Sequence, residues 1–102
     1  MMVLIYITCE DEEESIKIAE ILLKERLIAC SNIIKDIKSM YWWEESIEVD
    51  NESILILKTI ENKVEEIIKK VKKIHSYENP SIFALPIKTS DAYFQWIHNE
   101  IK

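Results

Sequence analysis

Two long runs of strand-forming residues, joined by a short polar turn, constrain the fold more than any other feature of the sequence. The first arm runs from Ala29 to Trp43, the second from Ile47 to Ile60, and Glu44-Glu45-Ser46 joins them. Each arm has about 14 residues and would reach about 46 Å when extended. A compact domain of about 100 residues is only about 34 Å across. The sequence therefore predicts a hairpin that extends beyond its own domain.

The overhanging end of this hairpin carries three adjacent aromatic residues, Tyr41, Trp42 and Trp43. Large aromatic side chains gain most from burial, and an exposed strand end is an aggregation hazard unless something covers it. A second copy of the chain is the expected cover, so the sequence predicts a closed homo-oligomer in which these residues are interface anchors.

The turn and the arms must be built without glycine, because the chain contains none. Short hairpin loops usually need positive φ, so Glu45 or Ser46 is expected to adopt a left-handed backbone. The alternation of apolar and polar residues slips at Ile33-Ile34 and around Asp36, which predicts a bulge in the first arm. The polar stretch from Asp50 to Ser53 predicts another in the second arm.

The rest of the chain supplies two more strands and three helices. An apolar run from Val3 to Cys9 predicts a central strand, and Pro86 places the last strand, Ser81 to Lys88, at an edge. Capping boxes predict helices after Asp11 (with Glu14) and after Asn62 (with Glu65), and Ser90-Asp91 opens a short terminal helix. The expected inner stripes are Ile16, Ala19, Leu22, Leu23 and Leu27 for the first helix, and Val64, Ile67, Ile68, Val71 and Ile74 for the second.

This order of elements is that of an α+β, ferredoxin-like βαββαβ fold. It predicts one four-stranded antiparallel sheet with two helices on one face, a long hairpin between the second and third strands, and a short C-terminal helix. No repeat or linker divides the chain, so residues 1–102 are expected to form a single domain.

Composition excludes several classes of function. The net charge of −6 argues against nucleic acid and anionic membranes as partners, and no apolar run is long enough to span a bilayer. Met1-Met2 leads directly into a strand without a basic segment or a cleavage site, so no secretory leader is expected. With only two cysteines, the sequence predicts a cytoplasmic protein with free thiols. Without glycine there is no phosphate-binding loop or dinucleotide fingerprint. No nucleophile, base and orienting group can be named, so no enzyme activity is expected.

Three residues have both a structural and a functional interpretation. Cys30 and Cys9 are each either small buried hydrophobic residues or soft ligands for copper or zinc, and Cys9, in the more apolar strand, favours the core. His75 either caps a helix C-terminus or, beside Tyr77 and Glu78, helps to bind a cation. His98 is expected to be solvated.

Several ordered segments resemble the CutA family of divalent-cation tolerance proteins, from Val3 to about Ile97. Two positions depart from the family pattern: Glu45 stands where the family usually has glycine, and Ser76 where it usually has proline. The matching segments are Glu25-Arg26-Leu27-Ile28-Ala29-Cys30-Ser31-Asn32, Ser39-Met40-Tyr41-Trp42-Trp43-Glu44, Leu57-Lys58-Thr59, His75-Ser76-Tyr77-Glu78-Asn79-Pro80, Ala84-Leu85-Pro86-Ile87 and Tyr93-Phe94-Gln95-Trp96-Ile97.

The resemblance implies a homotrimer linked to copper and other divalent cations, with no organic cofactor. It carries the metal attribution to Cys30 and His75, and the expected function is a non-enzymatic trimer in metal-ion tolerance that binds copper weakly. The trimeric plan also resembles signalling proteins of the PII type. The alternative is therefore a regulator that binds a small ligand or a partner protein in a cleft between subunits, with Trp43, Lys58, Tyr77 and Glu78 as its lining.

Overall fold

The computed structural model describes all residues from Met1 to Lys102, and its elements follow the predicted order. A short 3₁₀ turn at Glu61–Lys63 precedes the second helix. The strands are β1 (Met2–Cys9), β2 (Cys30–Trp43), β3 (Ser46–Ile60) and β4 (Ile82–Ile87), and the helices are α1 (Glu12–Lys24), α2 (Val64–Ile74) and α3 (Asp91–Glu100). The α+β fold with its C-terminal helix is confirmed. None of the helices is both long and apolar enough to cross a membrane.

The four strands form one antiparallel sheet in the order β2-β3-β1-β4. Strand β4 lies at an edge with Pro86 opposite Val3, as its missing N–H predicts. Alternate residues of β1 point to one face, where α1 and α2 cover them and complete the main core. This core includes Val3, Ile5, Ile7, Cys9, Ile18, Leu22, Leu55, Leu57, Ile67 and Val71.

The opposite face of the sheet is only partly covered. At one end α3 crosses it, and Ile97 and Ile101 pack on Met2 and Ile60 in a second, smaller core. Farther along, Tyr6 lies beside Phe83 with ring centroids 6.2 Å apart, and Phe83 is 57% exposed. An apolar sheet face is therefore left without a cover inside the chain.

The hairpin of β2 and β3 extends past both cores, as predicted. The molecule measures 46 × 24 × 21 Å, and its long dimension exceeds the expected width of a domain of this size. Met40 pairs with Val49 and Trp42 with Ile47, so these four side chains share one face of the hairpin. Their exposures range from 53% to 71%, which makes this face, called here the hairpin face, the most exposed apolar surface of the chain.

The hairpin closes with a two-residue turn, Glu44-Glu45, between the paired residues Trp43 and Ser46. Both turn residues have positive φ, 48° at Glu44 and 67° at Glu45. This is the backbone twist that two-residue hairpin loops favour, and the prediction for Glu45 is confirmed. Ser46 is instead the first residue of β3.

Glycine at the turn should stabilise the fold. We expect Glu45→Gly to raise the free energy of unfolding by up to about 1 kcal/mol, because glycine adopts positive φ without the steric cost of a Cβ atom. Chemical denaturation at fixed protein concentration measures the change. The matched control, Glu48→Gly, lies in the extended part of the same hairpin and should lose about 0.5–1 kcal/mol. Destabilisation by Glu45→Gly would contradict the turn geometry.

One of the two predicted bulges is present. The register of β2 shifts between Ile34 and Ile37, and Asp36 within this bulge has a φ of 57°. The second prediction, a bulge from Asp50 to Ser53, is wrong, since Asp50, Asn51 and Glu52 pair in register with β2 and Ser53 pairs with Cys9 of β1. Glu52 and Ser53 are buried in this strand, and each has a side-chain hydrogen-bond partner, Tyr77 and Ser15 respectively.

The helix predictions need two corrections. The Asp11 cap of α1 is confirmed, since its Oδ1 accepts a 2.8 Å hydrogen bond from the Glu14 N–H. The inner stripe, however, is Ser15, Ile18, Ala19 and Leu22, whereas Ile16 and Leu23 are about 40% exposed. Ser15 takes a core position because its hydroxyl bonds that of Ser53 at 2.8 Å.

The second correction concerns the start of α2. The 3₁₀ turn leads into this helix without any side-chain cap, so the predicted Asn62 cap is absent. The turn itself continues the backbone hydrogen bonding that a cap would otherwise supply. The buried stripe of Ile67 and Val71 is as predicted.

Candidate functional site

His75 lies where α2 gives way to the connector formed by residues 75–80. Its side chain is fully buried, and its Nε2 is 2.8 Å from the carbonyl oxygen of Thr8. The N–H of Tyr77 donates to its Nδ1 at 3.0 Å. Because Nδ1 accepts a hydrogen bond, the ring proton is on Nε2 and is donated to Thr8. The imidazole is therefore neutral and joins the connector to β1.

Cys9 and Glu14 lie beside this imidazole. Cys9 is the last residue of β1, and Glu14 belongs to the first turn of α1. The ligand atoms of Cys9, Glu14 and His75 all lie within 4.8 Å of one another, and Glu14 Oε2 is 3.9 Å from His75 Nδ1. We call these three residues the Cys9–Glu14–His75 cluster. It brings together a sulfur, an oxygen and a nitrogen donor from three separate elements.

The cluster holds one negative charge in its present state. Burial works against ionisation of Glu14, but hydrogen bonds from the N–H groups of Glu10 and Ser76 outweigh it and lower the pKa of the carboxyl. Burial, reinforced by Glu14 and other nearby carboxylates, raises the pKa of the Cys9 thiol to about 11. At neutral pH Cys9 is therefore a thiol and Glu14 a carboxylate.

Tyr77 attaches the connector to β3. Its hydroxyl donates to the carboxylate of Glu52 at 2.5 Å, and its ring centroid is 4.9 Å from that of His75. Burial, and then the bond to Glu52, raise the pKa of Tyr77 well above its ordinary value. Glu52 is itself only 9% exposed, so this hydrogen bond satisfies a carboxylate that has little contact with water.

An acidic cleft of about 340 Å³ lies next to the cluster. It is rich in carboxylates and contains a single lysine, so its potential attracts cations and repels anions. The lining residues are Glu10, Asp11, Glu12, Glu13, Lys35, Asp36, Asn51 and Glu52.

Cys30 lies at the other end of the sheet. It begins β2 opposite Lys58, whereas Cys9 pairs with Ser53, five residues earlier on β3. That separation corresponds to about 16 Å along the strand. Cys30 is half-buried, and its Sγ lies 3.8 Å from the carbonyl oxygen of Ser31. Within one chain Cys30 and His75 do not meet, so the two residues that the resemblance implies as ligands do not share a site in a single subunit.

The predicted cleft residues are also spread along the molecule. Tyr41, Trp42 and Trp43 lie at the hairpin tip, where the Tyr41 hydroxyl donates to Asp50 and this bond raises the pKa of Tyr41 to about 12.

Lys58 lies near the opposite end, with its Nζ 5.7 Å from the ring centroid of Tyr93. Tyr77 and Glu78 belong to the connector. A single cleft lined by Trp43, Lys58, Tyr77 and Glu78 would therefore require residues from different copies of the chain. That cleft stays a prediction.

The sequence gives little indication that Cys9 and Glu14 belong to the cluster. Glu14 is recognisable only as the capping-box residue of α1, and Cys9 only as the end of an apolar strand. The HEXXH type of spacing that signals a metal site on one helix is absent. The three donors converge only once the sheet and both helices are assembled.

The sequence of the chain matches one protein family over nearly its whole length. Residues 3–100 match the model of the family described as CutA1 divalent ion tolerance protein. The chain is 39% identical over 102 residues to the divalent-cation tolerance protein CutA of Pyrococcus horikoshii, covering 99% of both. It is 36% identical over 101 residues to the chloroplastic protein CutA 1 of rice, covering 98% of this chain and 57% of that protein.

Solved structures agree closely in fold. The structure of the periplasmic divalent cation tolerance protein CutA from Archaeoglobus fulgidus is 41% identical and superposes with a TM-score of 0.96, with both chains covered completely. The divalent cation tolerance protein from Thermus thermophilus is 34% identical, with a TM-score of 0.95 over the whole of both chains.

Proposed function

Because the chain belongs to the CutA1 divalent ion tolerance family, we propose that it acts as a non-enzymatic homotrimer that binds copper or a similar cation. The family is named for ion tolerance and not for a reaction. The observation that carries cation binding is the neutral imidazole of His75, whose Nδ1 faces the carboxylate of Glu14 beside a thiol. Imidazole and sulfur donors suit copper and zinc better than magnesium or calcium.

Two further observations support the proposal. The acidic cleft beside the cluster raises the local concentration of cations. The hairpin face and the uncovered sheet face provide apolar surface for a second and a third copy, and three copies are what the resemblance implies. A site that combines Cys30 with His75 would need these residues from different copies of the chain.

Copper titration of variants tests the metal ligands. We expect His75→Ala to weaken copper binding at least about tenfold at neutral pH, and Cys30→Ser to weaken it as well, because each removes a soft donor. The control, His98→Ala, removes an exposed imidazole on α3 and should leave the affinity unchanged. If all of these proteins bind copper alike, the ligand assignment is wrong.

The PII-like alternative needs Trp43, Lys58, Tyr77 and Glu78 of neighbouring copies to line one cleft, and it stays a prediction. The cytoplasmic location also stays a prediction; among the relatives, the Archaeoglobus structure is described as periplasmic and the rice protein as chloroplastic.

A further inference from the structure

We infer that the Cys9–Glu14–His75 cluster forms, within one subunit, a site for a thiophilic divalent cation such as zinc. We further infer that the ion binds in exchange for the hydrogen bonds that hold the connector of residues 75–80. This inference rests on the proposed function, because it names the ligands and the class of ion for the cation binding proposed above.

The orientation of His75 already matches that of a metal ligand. Histidines that bind metals usually donate their second ring N–H to a backbone carbonyl or a carboxylate, which fixes the ring and its tautomer. Here Nε2 is 2.8 Å from the Thr8 carbonyl oxygen. The lone pair of Nδ1 is therefore the one available to a cation, and it lies 3.9 Å from Glu14 Oε2.

Charge and donor type favour a divalent ion with an affinity for sulfur. A deprotonated Cys9 and the Glu14 carboxylate together carry two negative charges, and His75 is neutral, so a divalent ion would leave this buried site uncharged. Buried charges are tolerated only when they are compensated in this way. One sulfur, one nitrogen and one oxygen donor are typical of zinc, whereas magnesium and calcium require oxygen ligands.

The ligand atoms are already engaged, and this is what couples binding to the connector. Zinc lies about 2.0–2.3 Å from its ligands, so the ligand atoms of one ion are about 3.5 Å apart. To reach that spacing, His75 Nδ1, which has a single lone pair, must give up the Tyr77 N–H. Glu14 Oε2 must move towards the ion, which weakens the 2.7 Å hydrogen bond that it accepts from the Ser76 N–H. Both donors belong to the connector, so an ion at the cluster frees the start of that segment.

Zinc titration under reducing conditions tests the ligands. Cys9→Ser and Cys9→Ala should each lose about 100-fold or more in zinc affinity, because removing a ligand costs at least as much as removing an outer-shell partner. With cobalt(II) in place of zinc, the native protein should show a thiolate-to-metal absorption band that both variants lack. His98→Ala, which keeps all three ligands, should retain the affinity and the band.

Amide hydrogen exchange tests the coupling. Saturating zinc should speed amide hydrogen exchange at the N–H groups of Ser76 and Tyr77 in the native protein and in His98→Ala, and should leave it unchanged in Cys9→Ser. Unchanged exchange in a native protein that binds zinc through Cys9 would overturn the proposed exchange of hydrogen bonds.

Ser76→Pro tests whether zinc competes with the connector's hydrogen bonds, and it leaves all three ligand residues in place. Proline has no N–H to donate to Glu14, and the φ of −75° and ψ of 143° at His75 are those that a following proline requires. With one competing hydrogen bond removed, this variant should bind zinc at least as tightly as the native chain. A tenfold loss of zinc affinity would contradict the proposed competition between the ion and these hydrogen bonds.

The outcomes separate this inference from the proposed function. If cation affinity depends on Cys30 and not on Cys9, the inference is overturned while the function stands. If the native protein binds neither zinc nor copper, both fall.

Discussion

The substitution Trp42→Lys should convert the proposed homotrimer into monomers at micromolar concentration. Trp42 is 71% exposed within the chain and lies on the hairpin face, paired with Ile47 and two residues from Met40. Truncating a buried tryptophan anchor typically costs about 2–4 kcal/mol, and a cyclic trimer loses that contribution at three interfaces. Sedimentation velocity should give the native protein at three times the 12.1 kDa mass of one chain.

The control for this experiment is Leu23→Lys, which places the same charge on the helical side of the molecule. Leu23 is 38% exposed on α1, away from the hairpin and from the uncovered sheet face. This variant should sediment like the native protein. A native protein that is monomeric at micromolar concentration, or a Trp42→Lys variant that stays trimeric, would show that the hairpin face is not an interface.

The second large effect is expected at Tyr77. Replacing it with phenylalanine keeps the ring beside His75 but removes the hydroxyl that donates to Glu52. A carboxylate that is only 9% exposed would then lack its donor. We expect the free energy of unfolding to fall by about 3 kcal/mol, because a hydrogen bond to a charged group is lost and that charge is left desolvated. Denaturant titration measures the change.

Tyr93→Phe is the matched control for Tyr77→Phe. The Tyr93 ring contacts Lys58, but its hydroxyl has no hydrogen-bond partner in the chain. The stability of this variant should change by less than about 0.5 kcal/mol. Both variants are compared at one protein concentration, since the stability of an oligomer depends on it. Equal stability of the two variants would mean that Glu52 is satisfied without Tyr77.

The fold could be predicted largely from sequence because its elements have strong periodic patterns. The continuous apolar run of β1 and the length of the two hairpin arms were sufficient for the sheet. The absence of glycine led correctly to positive φ at Glu45. Two wrong predictions have one cause. Ser15 is buried because it bonds Ser53, and Asp50 pairs regularly because it lies opposite Ser39. Neither partner can be identified from the pattern of residues along the chain.

The sequence identified only part of the candidate site. His75 was predicted as a metal ligand, and the other predicted ligand was Cys30. In the folded chain the thiol beside it belongs to Cys9, which reads in sequence as an ordinary core residue. Glu14 was recognised for its helix-capping role, and its second oxygen also holds the connector through Ser76. The cluster forms only where β1, α1 and the connector meet in the folded chain, so the spacing of its residues along the sequence does not indicate it.

Native mass spectrometry of the purified protein with one equivalent of copper(II) per chain reports assembly and metal content together. We expect ions with the mass of three chains that retain copper, and a lower copper content for His75→Ala prepared in parallel. Single-chain ions, or three-chain ions that carry no copper, would contradict a cation-binding homotrimer.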